Sequence, residues 1–417
     1  MKIQIETLGC KVNSVEAESI AELFRARGHQ IVKDNADFVI INTCCVTGEA
    51  EAKSRQAIRK AIKNGAKVAV MGCYGQLAPE VIENIGASII IGTTNRQNIV
   101  EQVEENFSHN PSTHPCCSKN FQEFEELPHV PSKTRAFMKI QDGCNGVCTY
   151  CIIPKVRGKS RSRSLESIKQ ECVTLNKYKE IVLTGINLGM YGADINTNLV
   201  EAIRTVLQKT DARIRLSSVE PTEITEELIA ILRDEPRLCK HLHIPVQSCS
   251  DAVLKMMYRP YTAKNFSDMV NRLKSEIPSI TIGIDIILGF PGETDEMFEE
   301  TFNCLQELPI NHFHVFGYSI REGTIAATME QVNPIVKKNR VAKVLALAAK
   351  KNLNYRRSLI GNEVEVLTEV FKDNYIEGHS GEYIKIYVKD EVPLNEIIKV
   401  KLTETYKDGM IGVVINN

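Results

Sequence analysis

The sequence predicts an α/β chain in three parts: a doubly wound parallel-sheet domain over residues 1–107, a central partial (β/α)6 barrel over 133–357, and a small antiparallel β-barrel over 358–417, with a linker at 108–132. Three observations predict this. Short, almost wholly apolar runs alternate with helical patterns through the first hundred residues; six further strand–helix units follow Arg135; beyond Asn362 the apolar residues recur with a period of two.

The first strands are Ile3–Thr7, Phe38–Asn42, Val68–Met71 and Ser88–Ile91, with helices near Glu16–Arg27, Ala50–Asn64, Pro79–Ile85 and Gln97–Glu105. Apolar strands separated by helices need cover on both faces, so the sheet is expected to be parallel and open. From Ser108 to Ser132, four prolines and the lack of any period mark an interdomain linker; Cys116 and Cys117 within it receive no role. The central strands are Ala136–Gln141, Ile181–Thr184, Ile214–Ser217, Leu242–Pro245, Ile282–Leu288 and His314–Tyr318. Right-handed βα units of this kind close or partly close into a barrel, with the site at the carboxyl ends of the strands. Val364–Leu367, Tyr383–Val388, Ile397–Leu402 and Gly412–Ile415, split by Gly, Asp and Asn, give the terminal barrel.

Across 417 residues, 43% hydrophobic and 25% charged residues describe a globular protein, and a net charge of -1 argues against a globally basic nucleic-acid binder while leaving room for local patches. No apolar run reaches the length of a membrane span, since Asp285 interrupts even Ile280–Phe290, and Met1–Glu6 lacks a signal-peptide core. A cytoplasmic location is expected. Thirteen cysteines in a reducing compartment are then metal ligands, reactive thiols or small buried apolar residues rather than a disulfide framework.

Cys144, Cys148 and Cys151 form C-x3-C-x2-C directly after a strand. Three thiolates on one loop can cap three irons of a [4Fe–4S] cube and leave the fourth open to a small molecule. The alternatives are buried thiols or zinc. Structural zinc needs a fourth N or S ligand, and the nearest, His129, lies upstream in the linker. Cys10, Cys44 and Cys73 each follow a predicted strand of the first domain, so all three are expected at one sheet edge, as a second three-thiolate set or as three core residues. Cys45, offset by one residue from Cys44, is expected to point elsewhere.

These residues carry a family resemblance. Arg135-Ala136-Phe137-Met138-Lys139-Ile140-Gln141-Asp142-Gly143-Cys144, Tyr150-Cys151-Ile152-Ile153-Pro154 and Arg157-Gly158 resemble the core of the radical S-adenosylmethionine methylthiotransferases. So do Thr7-Leu8-Gly9-Cys10-Lys11-Val12-Asn13, Asn42-Thr43-Cys44, Gly72-Cys73-Tyr74, His243-Ile244-Pro245-Val246-Gln247-Ser248, Gly289-Phe290-Pro291-Gly292-Glu293-Thr294 and His314-Val315-Phe316-Gly317-Tyr318-Ser319. The resemblance covers nearly the whole chain, and its terminal segment is similar to the TRAM domain, an RNA-binding module. Cys249 departs from the glycine usual there, and Gly317 from a common proline. Leu8-Gly9-Cys10-Lys11-Val12-Asn13 is most similar to the branch acting on N6-threonylcarbamoyladenosine beside the tRNA anticodon; the isopentenyladenosine and ribosomal-protein branches are the alternatives, with a non-catalytic iron–sulfur RNA-binding protein as the reading from another class.

The resemblance implies two [4Fe–4S] clusters, one on Cys144, Cys148 and Cys151 and an auxiliary one on Cys10, Cys44 and Cys73. S-adenosylmethionine would bind the open iron and be cleaved by one electron, from a donor such as a flavodoxin or ferredoxin, to a 5′-deoxyadenosyl radical. That radical would take hydrogen from C2 of the adenine; a second S-adenosylmethionine would supply the methyl group and the auxiliary cluster would present the sulfur. By motif, Tyr150, Gly185, Asn187, Ser218, Glu220, Gln247, Ile287 and Gly289 would contact S-adenosylmethionine. No catalytic residue beyond the cluster ligands is implied.

For the tRNA anticodon stem-loop, Lys155, Arg157, Lys159, Arg161 and Arg163 crowd just after the cysteine loop and are expected to meet phosphates. Gly158-Lys159-Ser160 is no P-loop, because Ile153 stands where that motif needs glycine. A second basic stretch runs from Lys337 to Arg357 without Asp or Glu. The terminal segment from Gly361 holds six Lys against eleven Asp and Glu, so any RNA grip there is expected from a local patch such as Lys385, Lys389, Lys399 and Lys401. Oligomeric state is not legible.

Overall fold

The computed structural model describes residues 1–109, 117, 121 and 123–415. The N-terminal part runs β1 (Lys2–Thr7), α1 (Lys11–Ala26), β2 (Gln30–Ile31), β3 (Phe38–Thr43), α2 (Gly48–Lys63), β4 (Lys67–Gly72), α3 (Cys73–Leu77), α4 (Pro79–Ile85), β5 (Ile89–Ile90) and α5 (Ile99–His109). All strand pairs are parallel, in the order β2-β1-β3-β4-β5. Alternation along β3 shows why the sheet is covered twice. Phe38 and Ile40 pack with Ile20 and Phe24 of α1 and Ile99 and Val103 of α5, while Val39 and Ile41 pack with Ala57 and Ile58 of α2 and Ile82 of α4. Strand β2 and helix α3 escape the periodicity because one has two residues and the other five.

The central part runs β6 (Ala136–Lys139), β7 (Gln141–Asp142), α6 (Ile153–Arg157), β8 (Arg161–Ser162), α7 (Leu165–Leu175), β9 (Glu180–Thr184), α8 (Leu199–Lys209), β10 (Arg213–Leu216), α9 (Glu226–Asp234), β11 (His241–Gln247), α10 (Asp251–Met256), α11 (Ala263–Glu276), β12 (Thr281–Leu288), α12 (Asp295–Glu307), β13 (His312–Gly317) and α13 (Pro334–Ser358). The six long strands form two parallel sheets, β6-β9-β10 and β11-β12-β13, joined by the parallel bridges Ile214–Leu238 and Ser218–His243. Outward side chains such as Ile181, Ile214, Leu242, Ile284 and Ile286 share one apolar core with the helices.

The last part, β14 (Glu363–Lys372), β15 (Tyr375–Ser380), β16 (Lys385–Val388), β17 (Ile397–Tyr406) and β18 (Gly409–Val414), closes into a barrel in the order β14-β15-β16-β18-β17. It is not wholly antiparallel as expected: β16 and β18 pair in parallel across the closing seam. Strand β15 is missing from the sequence reading because its inward positions are Ile376, Gly378 and Ser380, too small and polar to signal a strand. Gly378 is required there, since a side chain would strike the Leu367 carbonyl.

The segment expected to be a spacer is instead a packed strap. Glu125 pairs with Arg96, the Ser167 hydroxyl donates to Glu126, Leu127 joins the N-terminal core, and the Tyr178 hydroxyl donates to the Pro131 carbonyl. Cys116 lies outside the described residues. Among the described residues no helix is long and apolar enough to cross a membrane.

Candidate active site between two cysteine loops

The loop carrying Cys144, Cys148 and Cys151 leaves the sheet after β7 and returns at β8, and the antiparallel β7–β8 pair pinches its base. Gly143, with φ 73°, makes the sharp exit; any side chain there would strike the Lys159 carbonyl. Gln141 fixes the base from inside, donating to the Gly143 carbonyl at 2.7 Å and the Ser160 hydroxyl at 2.9 Å and accepting from the Asn187 amide at 2.9 Å. Donors point at the sulfurs. The Gly146 amide lies 3.2 Å from Cys144 Sγ, and Arg259 Nη1 lies 3.3 Å from Cys148 Sγ. Burial pushes the Cys151 thiol up to about 12.

Cys10 follows β1, Cys44 follows β3 and Cys73 opens α3 after β4, so all three stand at the carboxyl edge of the sheet. With strand order 2-1-3-4-5 the chain reverses direction between β1 and β3, the crevice where open α/β sheets take ligands. Cys45 does not point elsewhere as expected. Its buried thiol hydrogen-bonds the Cys73 sulfur and, ahead of the opposing burial, holds the Cys73 thiol below its ordinary range. Strand alternation stops at Thr43, so it no longer governs where Cys45 faces.

A buried charge lattice joins the two loops. Arg157, wholly buried at the end of α6, donates from Nε to Cys73 Sγ at 3.2 Å and from Nη1 to Glu16 at 2.8 Å and Asp142 at 3.0 Å. Arg96 pairs with Glu16 and Glu125, Lys139 with Glu16 and Asp142, and Arg161 with Asp142. Four cations thus face three carboxylates, and the surplus positive charge lies against the Cys73 sulfur. An arginine lies on one sulfur of each cysteine set, the donor chemistry that an anionic, thiolate-bound group would need, while among the described residues no three His, Cys, Asp or Glu side chains are already drawn together around a metal position.

Between the loops lies a mostly apolar cavity of about 210 Å³, walled by Val46 and Thr47 of the N-terminal part, Tyr150–Ile153 of the cysteine loop, and Gln247, Asp285, Ile287, Phe316 and Tyr318 from the strand ends. Of the residues expected at S-adenosylmethionine, Tyr150, Gln247 and Ile287 line this cavity directly. Tyr150 stands edge-on to Phe290, with 6.3 Å between ring centroids. Gly289, at φ 66°, turns the chain beside Lys337 and donates its amide to Glu293 at 2.6 Å. Gly185, Asn187, Ser218 and Glu220 lie on the other side of the cysteine loop. The Asn187 side-chain nitrogen is 3.9 Å from Cys144 Sγ, its side-chain oxygen is buried without a partner among the described residues, and Gly185 packs on Gln141. Ser218 bridges to His243, and Glu220 pairs with Arg259. Arg259, which also holds Cys148, has no sequence motif to reveal it.

The basic run after the cysteine loop requires correction. Arg157 and Arg161 are buried in the charge lattice, and Arg163 is held by Glu171 and the Ser167 hydroxyl, so none of the three offers a free guanidinium to a phosphate. Odd-numbered residues of a short run point alike only in a strand, and α6 turns Arg157 inward. Lys155 and Lys159 remain exposed. In the terminal barrel Lys399 and Lys401 are exposed on β17, Lys399 paired with Glu363 at 2.8 Å, while Lys385 pairs with Glu377 at 3.0 Å and Lys389 lies over the Tyr375 ring.

A three-cysteine loop at the mouth of parallel βα units, facing a cavity, defines a radical S-adenosylmethionine enzyme. Residues 138–305 match the Radical SAM superfamily model, which carries a [4Fe–4S] cluster and S-adenosylmethionine, and residues 2–92 match the Uncharacterized protein family UPF0004. The radical S-adenosylmethionine methyltransferase TsrM from Kitasatospora setae shares the fold, with a TM-score of 0.55 at 13% identity over 78% of this chain and 77% of that one. Over its full length the chain is 38% identical to the threonylcarbamoyladenosine tRNA methylthiotransferase MtaB of Bacillus subtilis, covering 97% of that protein. It is 37% identical to the MtaB of Thermotoga maritima, over 98% of this chain and 96% of the other. It is also 34% identical to the tRNA-2-methylthio-N(6)-dimethylallyladenosine synthase of Clostridium tetani, over 98% and 95%. The chain belongs to the radical S-adenosylmethionine methylthiotransferase family that includes the MtaB enzymes.

Proposed function

We propose that this enzyme transfers a methylthio group to C2 of N6-threonylcarbamoyladenosine next to the tRNA anticodon, giving 2-methylthio-N6-threonylcarbamoyladenosine. The observation that carries the reading is the cavity with one wall from each cysteine loop, Val46 and Thr47 on one side and Tyr150–Ile153 on the other, so that groups held by both loops meet in one space. Full-length similarity to enzymes named for this reaction supports it.

On this reading Cys144, Cys148 and Cys151 hold one [4Fe–4S] cluster and Cys10, Cys44 and Cys73 a second. When bound, these groups and S-adenosylmethionine supply a radical able to open an aromatic C–H bond and the sulfur to be transferred. The chain supplies position. Tyr150 and Ile287 flank the cofactor's apolar parts, Asn187 and Glu220 offer polar atoms beside Cys144 and Cys148, and the apolar cavity wall excludes water. The two parallel sheets act as one partial (β/α)6 barrel spanning 133–357, between the domain at 1–107 and a TRAM-like barrel at 358–417; the two bridges between the sheets support this division. Lys155 and Lys159 beside the site, with Lys399 and Lys401, meet the RNA backbone; a flavodoxin or ferredoxin gives the electron; the enzyme works in the cytoplasm.

Mass spectrometry of tRNA nucleosides from cells lacking the gene tests the substrate. Loss of 2-methylthio-N6-threonylcarbamoyladenosine alone is expected; loss of the dimethylallyl counterpart, or an unchanged profile, overturns the reading. Iron quantitation tests the clusters, with about eight irons per chain expected and about four removing the second cluster.

A further inference from the structure

Strand β13 divides its side chains by alternation. Phe313 and Val315 pack against the core shared with the helices, whereas His314 and Phe316 take the opposite face. There Phe316 stands in register beside Ile287 of β12, and both line the cavity between the cysteine loops. Four aromatic rings gather at these strand ends. Three of them engage one another: Tyr150 is edge-on to Phe290 at 6.3 Å, and Phe290 is edge-on to Tyr318 at 5.5 Å. Phe316, 40% exposed, makes no ring contact among the described residues.

The wall to which Phe316 belongs is held in place. The Ser319 hydroxyl accepts from the Gly48 amide at 3.0 Å and from Arg321 Nη2 at 2.8 Å. Arg321 also donates to the Cys45 carbonyl at 3.3 Å and pairs with Glu51. These bonds clamp the segment after β13 to the loop carrying Val46 and Thr47, which line the same cavity. Val46 is exposed like Phe316. Exposed apolar side chains gathered at a cavity mark a binding surface, as ones scattered singly do not. The lining residues expected at S-adenosylmethionine are Tyr150 of the cysteine loop, Gln247 of β11 and Ile287 of β12; none comes from β13 or from the N-terminal part.

We infer that Phe316 is the stacking platform for the target adenine, taking the place of the neighbouring RNA bases once the nucleotide enters the cavity. This rests on the function proposed above. An adenine whose C2 reacts inside a cavity walled by both cysteine loops has to leave its neighbours and forfeit their stacking. A free aromatic face offsets that loss, and proteins that hold unstacked bases present such faces. Among the aromatic rings at the cavity, Phe316 is the one with no other ring against it. An aromatic face grips any base, so this role concerns where the adenine lies and not which N6 substituent it carries.

The test uses the reconstituted holoenzyme and two anticodon stem-loop RNAs, one bearing N6-threonylcarbamoyladenosine and one abasic at that position. Wild type should bind the intact RNA roughly fivefold to a hundredfold more tightly than the abasic one. Phe316→Leu, which keeps apolar bulk without an aromatic face, should remove most of that difference by weakening the intact RNA alone, and Phe316→Tyr should retain it. Iron per chain, and affinity for S-adenosylmethionine without RNA, should stay at wild-type values in both variants. Equal affinity of wild type for the two RNAs overturns the inference even if Phe316→Leu does not fold. So does a folded Phe316→Leu that discriminates as wild type does, or one that loses both RNAs equally, because that is a structural effect. A Phe316→Leu protein that loses affinity for S-adenosylmethionine while keeping the RNA difference also overturns it, because the ring then serves the cofactor. Wild type that modifies only a stem-loop bearing the dimethylallyl counterpart sinks the proposed substrate, and the same intact-against-abasic comparison on that RNA then decides for or against Phe316.

Discussion

Arg157 Nε lies 3.2 Å from Cys73 Sγ, although the two residues belong to different cysteine loops, 84 positions apart. The same guanidinium holds Glu16 and Asp142, so one side chain ties an N-terminal thiol to the base of the central loop. Arg157→Met should leave two buried carboxylates short of a partner and destabilise the protein by about 3–5 kcal/mol. Anaerobic denaturant titration measures this, with iron per chain expected to fall as well. A midpoint unchanged from wild type would show that the lattice does not depend on Arg157.

His129 pins the strap between two domains, with Nδ1 2.9 Å from Glu171 and Nε2 3.0 Å from Glu18. Burial opposes its charge, but hydrogen bonds to Glu171 and Glu18 outweigh burial and push its pKa up to about 9. The raised value means that folding favours the imidazolium. Its contribution is therefore complete below the ordinary value of 6.5 and is lost as pH rises through about 9. Hydrogen exchange across residues 123–132 should accelerate between pH 7 and 9.5, beyond the intrinsic rise, in wild type but not in His129→Gln. Parallel profiles for the two proteins would refute this assignment.

Lys159 and Arg161 are two residues apart but lie in opposite surroundings, one exposed and one buried against Asp142. Lys159→Glu should lower the slope of log affinity against log salt for tRNA by about 1 without moving the unfolding midpoint. Arg161→Glu should cost about 3 kcal/mol or more of stability, because it sets a second carboxylate against Asp142. Identical behaviour of the two variants would contradict the burial difference.

Tyr383 sits at the junction of the terminal barrel and the central part, with Arg215 over its ring at 4.9 Å, Arg135 at 5.6 Å, and the His241 and His379 rings at 4.8 and 5.2 Å. Tyr383→Ala should cost about 2 kcal/mol and expose the link before β14 to protease while the terminal barrel stays folded. Protection equal to wild type would place the docking energy elsewhere.

The parallel strands of the first two parts were readable from their apolar runs, and β11, β12 and β13 begin and end within a few residues of the expected positions, because burial on two faces writes itself into consecutive side chains. Strand β15 was not readable, because Gly378 and Ser380 fill its inward positions where the barrel is too narrow for larger groups. The cysteine loop was legible as a local motif, and the placement of Cys10, Cys44 and Cys73 followed from strand ends. Cys45 was misjudged because it lies one residue beyond the last strand position, where alternation ceases to apply.

The sequence by itself determined the parallel α/β framework and the placement of the two cysteine sets, since each depends on spacing within one segment or on strand ends that repeat; the class of chemistry came from the resemblance of its motifs to a known family. Tertiary structure decided what the charges do. Arg157, Arg161 and Arg163 looked like a basic surface because charge can be counted along a chain, whereas partners such as Glu16, Asp142 and Glu171 are set by which segments the fold brings together. Electrostatic attraction acts through space at a few ångströms, and only the packed structure says which residues are that close.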